Sequence, residues 1–103
     1  RCINGSVLDV FVDLRKDSET FGEWDSIELS AENKKMIYIP RGFAHGFCVL
    51  SESAEVLYKC SDYYSPKNER GVLWNDADLA IDWPIKDPIL SEKDAVYPRF
   101  SEL

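Results

Sequence analysis

Five prolines and the turn-forming residues around them divide this chain into short apolar runs. This division into short runs is the feature that most constrains the fold. Proline has no N–H to donate to a β-ladder, so it marks the boundaries of strands rather than their centres. The runs between these boundaries are rich in Val, Ile, Leu, Tyr and Phe, as strands are. They predict strands over residues 7–14, 36–39, 47–50, 55–60 and 71–74. Many short strands with turns between them are typical of an antiparallel sandwich or barrel.

The first of these runs has a two-residue period. Leu8, Val10 and Val12 share one face of the predicted strand, whereas Asp9 and Asp13 lie on the other. One face is therefore core-like and the other is partly polar. Helical signals are weak and predict only single turns at residues 30–33, 76–79 and 91–95, the first and last capped by serine.

Length and charge narrow the range of functions. The chain has 103 residues, which is enough for one domain. Its 19 acidic and 12 basic residues give a net charge of −7, so the basic surface typical of nucleic-acid-binding proteins is missing. An anionic ligand would need local basic groups to overcome the repulsion from this net negative charge.

No apolar run approaches the roughly 18 residues of a membrane span, so we expect no membrane partner. The three cysteines form neither a CxxC pair nor a zinc spacing, which favours buried thiols in a reducing compartment.

The most informative motif is Pro40-x-Gly42-x-x-His45. The proline and the glycine set a turn between two strands, and the histidine enters the second strand. The pattern matches the start of the second cupin motif, in which the histidine points into a barrel. Metal-binding cupins use further histidines, whereas His45 is the only histidine here. One imidazole cannot supply the three ligands of a catalytic metal site, so we expect no metal in this segment. Taken alone, His45 is explained equally well as a hydrogen-bonded structural residue.

Two further residues are candidates for proton chemistry. Tyr58 lies in a strand-like run, and a phenol that faces a polar cavity can donate a proton to a developing enolate. A tyrosine on a barrel wall can equally be a core residue with a satisfied hydroxyl. Asp94 lies in a turn capped by Ser91, where a carboxylate is usually solvated. Cys48 and His45 fall on opposite faces of one strand, which argues against a nucleophilic Cys–His pair.

Taken together, these blocks resemble the dTDP-4-dehydrorhamnose 3,5-epimerase family. The resemblance covers nearly the whole chain in order and spacing, and it includes Val12-Asp13-Leu14-Arg15, Thr20-Phe21-Gly22-Glu23-Trp24, residues 39–47, residues 57–66, Leu73-Trp74-Asn75-Asp76 and residues 90–95. It implies an all-β fold, a cupin-type antiparallel β-barrel (jelly roll) that is incomplete in this chain, with short helical turns near the C-terminus. It also implies that residues 1–103 are a single cupin-like domain lacking its N-terminal strands.

The resemblance implies the chemistry as well. Enzymes of this family epimerise C3 and C5 of dTDP-4-dehydro-6-deoxy-D-glucose, by proton abstraction next to the C4 ketone and reprotonation, to give dTDP-4-dehydro-L-rhamnose. Tyr58 matches the tyrosine that returns a proton, and Asp94 matches the aspartate that pairs with the base histidine. His45 and Tyr64 match residues that line the substrate pocket. We add Lys93 and Arg70 as candidates for contacts with the anionic substrate.

The family's base histidine and its enolate-binding lysine belong to a portion upstream of Arg1. We therefore expect no epimerase activity from these 103 residues by themselves. For the full reading frame the resemblance implies a cytoplasmic homodimer that uses no cofactor. Three alternatives stay open: an epimerase that acts only at C3 or only at C5, a non-catalytic cupin-like sugar-binding or assembly module, and a metal-dependent cupin enzyme.

Overall fold

The computed structural model describes all 103 residues. Its regular elements are strands and 3-10 turns, which confirms the predicted all-β class. The strands are β1 (Cys2–Asn4), β2 (Ser6–Asp13), β3 (Trp24–Ser30), β4 (Phe43–Val49) and β5 (Glu55–Val56), and the 3-10 turns are Pro66–Asn68 and Phe100–Glu102. None of its helical segments has the length and apolar character that a membrane crossing requires.

The chain divides into two compact units, Arg1–Ser61 and Asp62–Leu103. All of the strands belong to the first unit. The second unit consists of turns, extended segments and the two 3-10 turns. That residues 1–103 form a single domain stays a prediction.

The first unit contains two open antiparallel sheets. Strand β2 lies at the centre of the larger one, in the order β3-β2-β4, and β1 pairs with β5 in the smaller one. In the larger sheet Phe11 lies opposite Asp25 on β3 and opposite His45 on β4. Directly opposite residues share a face of an antiparallel sheet. One face therefore carries His45 and, two residues along β2 from Phe11, Asp9.

Strand β2 is buried on both faces. Val10 and Val12 are buried on the face that the sequence pattern marks as core-like. Asp9 and Asp13 on the opposite face are buried as well, so that face, which also carries the buried Val7, is partly polar but is not a solvent face. A compact apolar cluster of Cys2, Val7 and Leu29 lies on this unit, packed against Ile27, Ile37, Ala54 and Val56.

Several predicted strand boundaries are wrong. Residues 71–74 form no strand, and residues 36–39 keep a strand-like alternation of exposed and partly buried side chains but are paired with no other strand. A ladder needs a hydrogen-bonded neighbour, which a sequence pattern cannot supply. The strand predicted at 47–50 begins earlier, at Phe43, and the one predicted at 55–60 ends at Val56, because its partner β1 has three residues. Strands β1 and β3 were not predicted.

The three predicted turns are confirmed. The Ser30 hydroxyl accepts a hydrogen bond from the Asn33 amide at 2.9 Å, and the Asn33 side chain accepts one from the Ser30 amide at 3.0 Å. In the turn at 91–95, the Ser91 hydroxyl accepts from the Asp94 amide at 3.2 Å. In the turn at 76–79, the Ala80 amide donates to the Asp76 carbonyl at 3.0 Å. Capping side chains satisfy the free amides of such turns, which is why the sequence signal was sufficient here.

Candidate active site

His45 lies on β4 beside a buried carboxylate of the neighbouring strand. Its Nδ1 is 3.5 Å from Oδ1 of Asp9, and the His45 side chain is 48% exposed whereas that of Asp9 is 8% exposed. The distance is that of an ion-pair contact rather than a well-formed hydrogen bond, and Oδ1 of Asp9 has no hydrogen-bond partner. The Asp9 carboxylate raises the pKa of His45 above the ordinary 6.5 of imidazole, and partial burial opposes that rise only in part. This arrangement favours a protonated, donating imidazole.

The register of the sheet explains why Asp9 and His45 meet. His45 lies opposite Phe11, and Asp9 lies opposite Phe47, so the two polar residues are diagonal neighbours on one face. That face also carries Asp25 on β3 and Asp13 at the end of β2. The opposite face carries Cys48, which lies opposite Leu8. The prediction that Cys48 and His45 point away from each other is therefore confirmed.

Tyr58 follows β5 in the first unit. Its side chain is 76% exposed. Tyr58 is therefore not a core residue, which was the alternative to a role in proton transfer. The chain next to it is held by reciprocal bonds, since the Leu57 amide donates to the Arg1 carbonyl at 2.9 Å and the Arg1 backbone nitrogen donates to the Leu57 carbonyl at 3.0 Å. An anchored backbone with an exposed phenol leaves the hydroxyl available to a ligand.

In the second unit, an ion pair joins two segments that are far apart in sequence. Lys93 Nζ donates to Oε2 of Glu69 at 2.8 Å. The hydrogen bond from Lys93 lowers the pKa of Glu69, and Tyr64 contributes to the same effect; Glu69 in turn raises the pKa of Lys93. Both the Tyr64 ring and the Lys93 side chain are largely exposed. The cluster thus presents an ammonium donor, a carboxylate acceptor and an aromatic ring together.

Arg70 and Asp94 flank this ion pair. The Arg70 guanidinium donates to the carbonyls of Lys67 and Glu69, at 3.1 and 2.9 Å, and so is tied to its own loop. Asp94 lies next to Lys93 in the turn capped by Ser91, with an exposed side chain. The Arg70 guanidinium keeps N–H donors for a ligand, because it has five of them. The exposed Asp94 carboxylate keeps its acceptor sites, because its contact with Ser91 is made by the backbone amide.

The structure groups the predicted residues by unit. His45 and Tyr58 lie in the first unit, and the second unit brings together Tyr64, Arg70 and Lys93 around Glu69, with Asp94 next to Lys93 in the sequence. No group of three or more His, Cys, Asp or Glu side chains in the chain could hold a metal ion.

Two polar residues that contact these candidates within their own units were not predicted as site residues. Asp9 carried a signal, since it interrupts the apolar sequence of a strand that proved to be buried on both faces. A buried carboxylate needs a partner, and a histidine is one of the few side chains that can provide it. Glu69 carried no such signal. Its partner Lys93 is 24 residues away, so only the folded chain shows the pair.

Comparison with known proteins identifies the family of this chain. The sequence profile of dTDP-4-dehydrorhamnose 3,5-epimerases matches residues 1–102. The chain belongs to the dTDP-4-dehydrorhamnose 3,5-epimerase family. A family member from Salmonella typhimurium is 57% identical over 103 residues, which cover 99% of this chain and 56% of that protein. The chain thus spans about half the length of the curated family members it matches.

Solved structures of family members share the fold. The crystal structure of a dTDP-4-dehydrorhamnose 3,5-epimerase from Elizabethkingia anophelis is 56% identical with a TM-score of 0.94, covering 98% of this chain and 57% of that one. A dTDP-6-deoxy-D-glucose-3,5-epimerase from Legionella pneumophila, in complex with dTDP-4-keto-L-rhamnose, is 48% identical with a TM-score of 0.91, covering 97% and 54%. A 3′-monoepimerase from Streptomyces bikiniensis, in complex with dTDP-quinovose, is 38% identical with a TM-score of 0.91, covering 97% and 51%. The cupin-type fold that the sequence predicted is therefore confirmed.

Proposed function

We propose that the full reading frame encodes a 3,5-epimerase of the dTDP-rhamnose route. It converts dTDP-4-dehydro-6-deoxy-D-glucose to dTDP-4-dehydro-L-rhamnose, by proton abstraction next to the C4 ketone and reprotonation at C3 and C5. The observation that carries the proposal is the family match over residues 1–102, together with the product-like ligand of the Legionella relative. The same family assignment supports a cytoplasmic homodimer acting on a dTDP-linked 4-keto-6-deoxy sugar.

The chemistry needs a base, an acid and a group that supports the enolate. A proton next to a ketone becomes acidic because the negative charge moves onto the carbonyl oxygen. We assign the returning proton to Tyr58, whose exposed phenol stands on an anchored backbone. We assign Asp94 as the carboxylate that orients the base histidine. A carboxylate in that role fixes the imidazole tautomer and supports its cation.

His45 fits a binding role rather than that of a base. The contact with Asp9 favours its protonated form, which donates hydrogen bonds and cannot accept a proton. A donating imidazole suits an oxygen of the sugar or the pyrophosphate. Tyr64, Lys93 and Arg70 supply an aromatic surface and two cations for the nucleotide part. These cations matter because the chain as a whole carries a charge of −7 and repels anions at long range.

A mono-epimerase is the second candidate function. The Streptomyces bikiniensis 3′-monoepimerase shares this fold at 38% identity. A chain with this fold can therefore belong to an enzyme that epimerises one carbon only. The number of carbons that exchange protons with solvent separates the two candidates.

Deuterium incorporation from heavy water tests both candidates. The full reading frame is incubated with dTDP-4-dehydro-6-deoxy-D-glucose in heavy water, beside its Tyr58→Phe variant and a matched Tyr63→Phe control, which alters the neighbouring 96% exposed tyrosine. We expect exchange at C3 and C5 in the unaltered protein and in the control. We expect at least a roughly hundredfold slower epimerisation in Tyr58→Phe, as loss of a general acid predicts. Exchange at one carbon identifies a mono-epimerase, and no exchange from a folded protein rules out both functions and favours a non-catalytic sugar-binding module.

A further inference from the structure

Asp13 is the most heavily hydrogen-bonded side chain of the chain, and the proposed chemistry does not use it. Its carboxylate is 1% exposed and accepts hydrogen bonds from the Arg15 amide and from Arg15 Nε and Nη2, each at 2.9 Å. It also accepts from the hydroxyls of Ser18, at 2.6 Å, and Thr20. Two parallel bonds from a guanidinium hold that group in one plane and one position. Asp13 therefore fixes where the Arg15 side chain lies.

The fixed Arg15 side chain covers the entry of strand β4. Its guanidinium carbon lies 4.8 Å from the centroid of the Phe43 ring, within the range of a cation–π contact. A methyl group added to Gly42 would lie 2.5 Å from Cγ of Arg15, so the arginine stem rests directly on that glycine. Gly42 has φ +88°, and its carbonyl accepts a hydrogen bond from the Leu14 amide at 2.9 Å. The turn before β4 is thereby clamped from one side.

Phe43, the first residue of β4 and the one that Arg15 contacts, is two residues from His45. Phe43 lies opposite Asp13 and His45 lies opposite Phe11, so Phe43 and His45 share a face of the sheet. A shift of Phe43 would carry the backbone of His45 with it, because the strand is stiff over two residues. The distance between Nδ1 of His45 and Oδ1 of Asp9, 3.5 Å, is already at the limit of a polar contact. Small displacements there decide whether the contact exists.

We propose that Arg15, held in place by Asp13, is a positioning residue that sets the placement of the His45 ring beside Asp9. It acts through the Gly42–Phe43 entry of β4 and touches no reacting atom. The ionisable groups that face His45 from the packed strands are Asp9 and Asp13 on β2 and Asp25 on β3. Of these, Asp13 loses its guanidinium partner when Arg15 is replaced. Loss of that cation would by itself raise the His45 pKa, so a fall reports displacement of the ring from Asp9. The effect on substrate binding rests on the proposed function, whereas the effect on the His45 titration does not.

The test compares Arg15 with a neighbouring arginine in the full reading frame. Arg15→Met keeps the apolar stem and removes both the forked ion pair and the cation, Arg15→Lys restores the charge without the fork, and Arg41→Met alters an exposed arginine of the same turn. The titration midpoint of His45 is followed by NMR, and kcat and KM are measured across pH. We expect Arg15→Met to move the His45 midpoint down toward the ordinary value of imidazole. Because His45 is assigned to substrate binding, we also expect KM to rise about three- to tenfold, with kcat within about twofold.

The controls separate positioning from a general loss of stability. Arg15→Lys should recover part of both effects, and Arg41→Met should leave the His45 midpoint and KM unchanged. If Arg15→Met does not fold, Phe43→Leu replaces it, because that change removes only the ring on which the guanidinium lies. An unchanged His45 midpoint in a folded Arg15→Met or Phe43→Leu variant overturns the proposal. If the unaltered protein shows no epimerase activity, the proposed function fails and the His45 titration still decides the positioning role.

Discussion

The imidazole of His45 lies 3.5 Å from the buried carboxylate of Asp9 on the adjacent strand, and this contact is diagonal across the sheet. It pairs the only histidine of the chain with an acidic residue from a strand that is buried on both faces. A buried carboxylate without a full set of hydrogen bonds is costly, so it favours the cationic form of a nearby imidazole. The pair therefore defines both the charge of His45 and the direction in which its other nitrogen is presented.

Replacing Asp9 should lower the pKa of His45. Asp9→Asn removes the negative charge that raises that pKa, and leaves the partial burial that lowers it. We expect the NMR titration midpoint of His45 to fall to or below 6.5, the ordinary value. Asp25→Asn, which alters an exposed carboxylate on the same face, is the matched control and should have a much smaller effect. A His45 midpoint that is equal in Asp9→Asn and in the unaltered protein would contradict this assignment.

The same pair makes a pH-dependent contribution to stability. The pKa of His45 is higher in the folded state than in the unfolded state, so the folded protein binds the proton more tightly. The contribution is fully present below the unfolded value of about 6.5 and is lost as the pH rises through the folded value. The melting-temperature difference between the unaltered protein and Asp9→Asn should therefore have a component that shrinks from about pH 6 to about pH 8.

Glu69 should control substrate binding without controlling stability. Glu69→Gln removes the partner that raises the pKa of Lys93 and frees the ammonium to move. Since the Lys93 side chain is 61% exposed, the ion pair contributes little to folding, and the melting temperature should change by less than about 2 °C. We expect KM for the dTDP-sugar to rise about three- to tenfold, because the donor and acceptor are no longer held together. Glu92→Gln, next to Lys93 and exposed, should leave KM unchanged, and an unchanged KM in Glu69→Gln as well would remove Glu69 from the site.

Asp76 should stabilise the second unit. Its Oδ2 accepts from the Phe100 amide at 2.8 Å, and its Oδ1 accepts from the amides of Asp78 and Leu79. An asparagine there can keep the Oδ1 bonds, but its amide group would face the Phe100 N–H donor to donor. We expect Asp76→Asn to lower the melting temperature by on the order of 5 °C, whereas Asp78→Asn at an exposed position should change it by less than about 2 °C.

The stabilising effect of Asp76 should decrease at acidic pH. Burial acts to raise the pKa of Asp76, but the hydrogen bonds from the amides of Phe100, Leu79 and Asp78, with the charge of Arg99, lower it below 3.8 overall. A group with a lowered folded-state pKa stabilises the protein above its unfolded pKa and loses that effect as the pH falls through the folded value. Thermal melts at pH 7 and near pH 3 should show the gap between the unaltered protein and Asp76→Asn becoming smaller in acid. A gap that widens in acid would show that Asp76 is not held as a carboxylate.

Replacing Ala80 with glycine should stabilise the protein. Its φ is +50°, a left-handed conformation that a Cβ disfavours, and its amide closes the turn by donating to the Asp76 carbonyl. Ala80→Gly relieves that strain, although glycine also gains freedom in the unfolded chain. We expect a net gain in the free energy of unfolding of about 0.5 kcal/mol. Ala77→Gly, in the same turn with an ordinary φ, should lower it by a similar amount, and chemical denaturation of the two variants checks the opposite signs.

Local patterns predicted those parts of the fold that depend on neighbours in sequence. The alternation along β2 and the capping serines at 30 and 91 gave the right conformations, because side chains within a few residues decide them. Residues 36–39 form a short apolar run but no ladder, and β3 was not predicted because its apolar residues, at 24, 27 and 29, form neither a continuous run nor a regular period of two. Pairing depends on a second strand, and no local window contains that information.

The sequence by itself determined the all-β class, the turn that delivers His45 into β4, and the family to which the chain belongs. These follow from residue types and spacings that are read along one stretch of chain. Only the tertiary structure decided that Asp9 faces His45, that Glu69 holds Lys93 across 24 residues, and that Arg15 is fixed over Phe43. Such contacts depend on strand register and on loops that bring distant segments together, and a one-residue change of register would turn each side chain to the other face.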